Sequence, residues 1–357
     1  MKRGVLVCSA KGARKNIGDY MQSIAARQFA GPDAVNVERE CLWQYEGGPT
    51  KLVMNGWFMH YPERFPPSDD ILPLFVSFHL YPKKADAFFT ERTLAYLRRF
   101  EPIGCRSTDA VQLLERYGVK GEYTSCLTLT LGRSYHHVET CGAPMFVDPY
   151  FKRLKRGTGF CRVAIKMLRI VPYALRHLAV IAKLAAKFQV FHSWTGIRFP
   201  PVRWYYAAEF HRVYAPAFGD DVLCKAEYVT HSVRSRDCPS EDAMFARADE
   251  LLRRYERAPY VVTSRLHCAL PCIAMETPVW VPLHPDFTTG RYGGNEELMN
   301  VVRFGTDGCL SISDGKLLGV PPVRTEYRAY SDELARRCER FMETHADAAQ
   351  DREGDER

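Results

Sequence analysis

Short apolar runs alternate with amphipathic stretches along most of this chain, and the period within each stretch indicates what it becomes. Residues 4–8, 51–56, 72–78 and 102–105 are brief and apolar, the length of buried strands. Between them, residues 17–29, 91–99 and 107–117 bring their apolar positions back at helical spacing, as helices with one buried face do. Gly118 follows the last of these, a residue that accepts the left-handed turn at a helix end. Strands and helices in this order predict a parallel sheet with helices on its faces.

The rhythm restarts near residue 143. Residues 145–148, 225–231, 260–263 and 279–283 read as strands, and 267–275 as a helix. Another helix starts after Ser240, a hydroxyl N-cap followed by Glu241 and Asp242, and runs to about Arg257. A last helix spans 325–344. The expectation is an α/β protein of two Rossmann-like domains, 1–142 and 143–324, followed by a helix at 325–345 and a polar, disordered tail at 346–357. Ligands of such sheets bind outside the carboxyl ends of the strands, so the two domains should face each other across a cleft.

Charge changes this picture in one place. The 357 residues carry 49 Lys+Arg against 42 Asp+Glu, a net charge of +7, but twelve of the basic residues and no acidic one fall within 149–208. In that basic helical segment Leu168, Val171, Leu175, Leu178, Ile181 and Ala185 form an apolar stripe at helical spacing, with Arg169, Arg176, Lys183 and Lys187 largely off it. Two readings are open: a helix packed on the core with its basic face in water, or a helix lying on an anionic membrane surface. Nucleic-acid binding is disfavoured, because the stretch is patterned as an apolar helix and no nucleic-acid motif accompanies it.

No uncharged apolar stretch is long enough to span a bilayer. The start, MKRGVLVCSAKG, lacks the apolar core of a secretion signal, so the expected compartment is the cytoplasm, peripheral at the inner membrane face on the second reading. There the twelve cysteines should be reduced and mostly buried. Cys268 and Cys272 have no second pair at zinc-binding spacing, so no metal site is expected.

The strongest chemical signal is V-V-T-S-R-L-H-C-A-L-P at 261–271. An apolar strand ends in small hydroxyl residues, and Ser264, Arg265, Leu266 and His267 then stand where the next helix begins. Free N–H groups at a helix start favour an anion, Arg265 adds a planar fork for phosphate or carboxylate, and His267 can donate to that anion or transfer a proton. Pro271 cannot donate within the helix, so a loose or kinked start is expected. After the first strand, Asn16, Gly18 and Asp19 sit at the mouth of a turn whose glycine spacing fits neither a P-loop nor a dinucleotide fingerprint. Asp19 is either a helix cap or a group that orients or deprotonates a hydroxyl. Arg106 follows the strand at 102–105, so with Arg265 it supplies two cations to close on one small dianion from both sides of a cleft. His231 ends the strand at 225–231, either as a proton acceptor facing the cleft or as an ordinary buried histidine.

Taken in order, N-I-G-D-Y-M-Q-S-I-A-A at 16–26, N-G-W at 55–57, G-C-R-S at 104–107, Y-T-S-C-L-T-L-T-L at 123–131 and the run at 261–271 resemble the polysaccharide pyruvyl transferase family. The resemblance covers most of the chain and is weakest across 149–214. It implies a GT-B-like pair of Rossmann-like domains, acceptor side first and donor side second. It also implies transfer of the enolpyruvyl unit of phosphoenolpyruvate to two hydroxyls of one sugar, giving a pyruvate ketal and phosphate. No cofactor is implied beyond phosphoenolpyruvate as donor substrate, and the acceptor is a saccharide in a polysaccharide or its lipid-linked precursor.

The family's Arg-Leu-His motif maps onto Arg265, Leu266 and His267, and its upstream arginine onto Arg106. Many members follow that arginine with Asp, whereas this chain has Ser107 and an Asp only at 109. On this scheme His267 is the acid or a phosphate ligand, Asp19 or His231 helps deprotonate the hydroxyl, and Ser264, Asn16 and Gly18 belong to the binding surface. The rival within the same fold is a glycosyltransferase with a nucleotide-sugar donor.

Overall fold

The computed structural model describes residues 1–8, 14–58, 60–154, 160–188, 190, 200–284, 292–312 and 317–344. The tail expected to be disordered at 346–357 lies outside these residues, as do parts of the basic segment. The fold is α/β with two main parallel sheets. In the first, Lys2–Val7 lies between Val35–Glu38 and Thr50–Val53, and Ile71–Leu74 pairs on the far side of Thr50–Val53. Bonds from Gly104 N to Phe75 O and from Phe78 N to Gly104 O carry the same direction on to Ile103–Cys105, which pairs in parallel with Gly121–Tyr123. The second sheet places Met145–Val147 between Glu227–Val229 and Val261–Thr263, followed by Val279–Leu283 and Asn300–Arg303.

The buried apolar strands lie where the runs predict them. Of the strands that the pattern misses, Val35–Glu38, Gly121–Tyr123 and Asn300–Arg303 are half polar and only partly buried. Each pairs on one side only, and edge strands need no continuous apolar run.

Two expectations are corrected. The strand at 225–231 is shorter, because the helix Pro200–Lys225 runs into it and only Glu227–Val229 is extended in the sheet. The apolar stripe of the basic segment does not run along one inward face. Phe160–Arg176 and Leu178–Lys187 are separate helices broken at His177. Leu168, Val171, Leu175 and Leu178 are exposed, and only Ile181, Leu184 and Ala185 of the second helix are buried. The first helix is apolar on two faces. The one that packs puts Ile170 into, and Met167 and Tyr173 against, the apolar cluster that also holds Phe146, Phe151 and Phe210. Among the described residues no helix is long and apolar enough to cross a membrane.

One hydrophobic cluster runs from Val5 and Tyr20 through Leu129 and Leu131 to Val147, Leu252 and Leu266, so apolar packing is continuous between the sheets. Seven of the described cysteines are buried and none is bridged, as expected of small apolar residues in a core.

Candidate active site

At the end of Val261–Thr263, hydroxyl groups tie neighbouring strands together. Thr263 Oγ1 donates to Val147 O at 2.8 Å and accepts from Arg265 N at 3.0 Å, while Ser264 Oγ donates to Pro282 O at 2.7 Å and accepts from Tyr150 N at 3.1 Å. These bonds fix Arg265 in extended backbone as the N-cap of the helix Leu266–Ala274. Pro271 has no N–H to offer the carbonyl four residues back, and its ring crowds that carbonyl. The carbonyl belongs to His267, whose ψ of 20° departs from the helix, so the expected kink falls at the histidine itself.

Arg265 Nε donates to Asp148 Oδ2 at 2.9 Å, and the same oxygen accepts the His231 amide at 3.0 Å. Burial alone would push the Asp148 carboxyl up. The Arg265 guanidinium, the His231 ring and hydrogen bonds from Thr230 and His231 outweigh it and hold the group below the ordinary carboxylate range. Asp148 is held at φ +43°, in the left-handed region. Arg153 lies within electrostatic reach of the same pair.

Arg106 leaves Ile103–Cys105 with its backbone anchored on both sides. Its amide donates to Phe78 O at 2.9 Å, and its carbonyl accepts from Asn295 Nδ2 at 2.9 Å. Ser107 caps the next helix, Thr108–Arg116, through its hydroxyl. Arg106 Nη1 stands 3.2 Å from His267 Nε2. Because guanidinium can only donate, His267 accepts at Nε2, and its ring proton sits on Nδ1.

The floor is a two-stranded antiparallel ribbon joining the halves of the chain. Arg14–Asn16 pairs with Ser232–Arg234, and Ile17 N donates to His231 O at 2.9 Å. Asn16 caps the helix Ile17–Ala30 by accepting from Gly18 N, so Asp19 is not the cap but a first-turn residue. Among the described residues its carboxylate makes no hydrogen bond. A Cβ on Gly18 would stand 3.0 Å from His267 Cβ, 3.2 Å from His267 Nδ1 and 3.4 Å from His231 Nδ1. His231 is buried, its Nε2 2.7 Å from the Tyr255 hydroxyl. The buried thiols of Cys268 and Cys272 stand within electrostatic reach of each other there, and that of Cys268 also of His231 and Tyr255.

These elements enclose an open cleft of about 520 Å³. Asn16, Gly18, Asp19 and Arg106 line it from the first half of the chain, and His231, Arg265, Leu266 and His267 from the second. Ser264 is the exception among the expected residues. It does not line the cleft, because its hydroxyl is committed to Pro282 and Tyr150 and its carbonyl accepts the Tyr292 hydroxyl. Sequence reasoning assigned no role to Trp57 and His79, which also line the cleft, or to Asp148, Arg153 and Asn295 behind it. The signal available for Asp148 is positional, a lone carboxylate at the carboxyl end of a central strand.

A second, much smaller pocket is lined by Asp19 together with Arg39 and Asn55. Away from the cleft, His177, His211 and Asp220 lie close enough to share an ion. Both His211 nitrogens are already engaged, at 2.8 Å from the Tyr173 hydroxyl and 2.8 Å from Asp220, so the group is satisfied as a hydrogen-bonded cluster.

The parallel sheets and the cationic cleft at their strand ends define an α/β protein equipped to meet a small polyanion. Residues 16–281 match the model of the family described as polysaccharide pyruvyl transferase, and the chain belongs to that family. Comparison with curated proteins and with solved structures gives no match. Membership makes the protein a transferase of pyruvyl groups to polysaccharide.

Proposed function

We propose that the donor is phosphoenolpyruvate and that its enolpyruvyl unit is carried onto two hydroxyls of one saccharide, closing a pyruvate ketal and releasing phosphate. The observation that supports this most directly is the convergence of Arg106, Arg265 and His267, from two different sheets, on one cleft that also holds the uncommitted Asp19 carboxylate. Phosphoenolpyruvate carries a phosphate and a carboxylate, and two guanidinium forks suit both. Arg153 adds a further cation at the rim of the Asp148–Arg265 pair.

In this reading the donor's negative charge competes for Arg106 and favours the imidazolium form of His267. His267 then delivers a proton to the methylene carbon. The first hydroxyl adds to the neighbouring carbon while its proton passes to Asp19. The carbon–oxygen bond to phosphate breaks and phosphate departs with the electron pair. The second hydroxyl adds to the resulting cation, and its proton leaves with the phosphate. Asp19 returns its proton to His267 through solvent, so donor and diol are converted to ketal and phosphate with nothing left over. His231, buried with Nε2 against Tyr255, supports the floor under Gly18.

Trp57 offers an apolar ring face for a sugar at the edge of the cleft. The two sheets are read as Rossmann-like domains in a GT-B-like arrangement, with the donor on the second. The acceptor in this reading is a saccharide of a polysaccharide or of its lipid-linked precursor.

Thermal unfolding with phosphoenolpyruvate and with a panel of nucleotide sugars tests the donor. Ligand at about 100 times its Kd adds roughly 2.7 kcal/mol, a shift of several degrees. Stabilisation by phosphoenolpyruvate that disappears in Arg265→Ala is expected. Stabilisation by nucleotide sugars alone would overturn the reading in favour of glycosyl transfer.

A further inference from the structure

The helix Phe160–Arg176 presents an apolar face to solvent. Leu168 is 69% exposed and Leu175 65%, and Ile165, Val171 and the following Leu178 are also exposed. At about 100° per residue, Ile165, Leu168, Val171 and Leu175 fall within one arc of roughly 120°. The opposite side is spoken for, since Val163, Met167, Ile170 and Tyr173 pack on the aromatic cluster of the second half. Between the two faces, on one flank, stand Arg162, Lys166, Arg169 and Arg176, and no acidic residue occurs in this helix. The next helix differs. Beyond Leu178 its Ile181, Leu184 and Ala185 turn inward, and Lys187 Nζ is used within the fold, donating to the carbonyls of Cys224 and Ala226.

A surface of aliphatic side chains bordered by charge of a single sign matches the interface of an anionic bilayer. There leucines reach the acyl boundary while guanidinium groups meet headgroup phosphates. A protein partner would be met with aromatic anchors and mixed polar groups, which this face lacks. The helix is too short and too charged to span.

We propose that Phe160–Arg176, with Leu178 beyond it, is a docking helix that lays the protein on anionic phospholipid, with Leu168 and Leu175 inserted and Arg162, Arg169 and Arg176 at headgroup level. The helix lies outside the cleft, so this inference stands whether or not the donor is phosphoenolpyruvate.

Flotation of the full-length protein tests it, with vesicles of phosphatidylcholine alone and of phosphatidylcholine mixed with phosphatidylglycerol. The wild type is expected to float with the anionic vesicles only, and less as salt rises. Leu168→Asp combined with Leu175→Asp should reduce partitioning roughly ten-fold or more, and Arg169→Glu with Arg176→Glu by a similar factor. Both pairs change exposed side chains, and unchanged unfolding temperatures will show that the fold is intact. No flotation of the wild type, or equal flotation of wild type and the leucine variant, would overturn the proposal. So would a concentration-dependent dimer abolished by the leucine variant with no lipid binding, which would make a second copy the occupant.

Discussion

Gly18 is where His231 and His267, two of the three histidines that line the cleft, meet, and a side chain there would fit only if His267 gave way by a few tenths of an ångström. Alanine would press on His267 at 3.0 Å and 3.2 Å and touch His231 at 3.4 Å. Its higher helix propensity, worth up to about 1 kcal/mol, opposes a crowding cost of similar size. Gly18→Ala should therefore leave the unfolding temperature nearly unchanged while kcat for phosphate release falls about ten-fold or more through a displaced His267. A variant with unaltered kcat would show that the position of His267 is not critical.

Asp148 acts through charge. Its folded pKa lies below the unfolded value near 4, so its contribution to stability is present above about pH 4 and is lost as the pH falls through the folded value. Asp148→Asn should be less stable than wild type by roughly 1–3 kcal/mol at neutral pH. The gap should stay constant down to about pH 5 and narrow below pH 4, as read by unfolding temperature across pH. A gap that widens on acidification would reverse the sign assigned here. Arg106, Arg265 and His267 are legible in sequence because each follows an apolar strand and opens a helix. Asp148 is not, since a single acid after M-F-V carries no pattern of its own, and its partner lies 117 residues away.

At the scale of elements, the segment from Tyr292 to Asn295 connects the two walls of the cleft. The Tyr292 hydroxyl donates to Ser264 O at 2.7 Å, Gly293 O accepts from Thr108 N at 3.2 Å, and buried Asn295 donates to Arg106 O while accepting from Ser125 Oγ at 2.7 Å. Asn295→Ala leaves that carbonyl and that hydroxyl buried without their partner, at a cost of about 2–4 kcal/mol. It should lower the unfolding temperature by several degrees and raise the KM for donor through a loosened Arg106. A stability loss with unchanged KM would make Asn295 structural only. Neither this segment nor the ribbon of Arg14–Asn16 with Ser232–Arg234 was legible. Both are three or four residues long, and what fixes them is a partner half the chain away rather than any local period. The helices Ile17–Ala30 and Glu241–Glu256 were legible to within a residue or so, because their caps and apolar stripes are local.

Across the whole molecule, the cations that face the cleft come from both halves, and the floor is shared between them. Arg106 follows the strand Ile103–Cys105 of the first half, Arg265 and His267 open the helix after Val261–Thr263 of the second sheet, and the Arg14–Asn16 ribbon carries the start of the Ile17–Ala30 helix against His231. A donor held between Arg106 and Arg265 therefore restrains both walls at once, and its binding energy appears as protection from opening on each side. Amide hydrogen exchange reads this directly. Phosphoenolpyruvate should slow exchange of the first turn of Ile17–Ala30 and of Leu266–Ala274 together, and Arg265→Ala should abolish both effects. Protection confined to Leu266–Ala274 would mean that the donor rests on the second sheet alone. Arg106 would then serve the acceptor or the resting state of His267, and the two-sided grip on the donor would have to be abandoned.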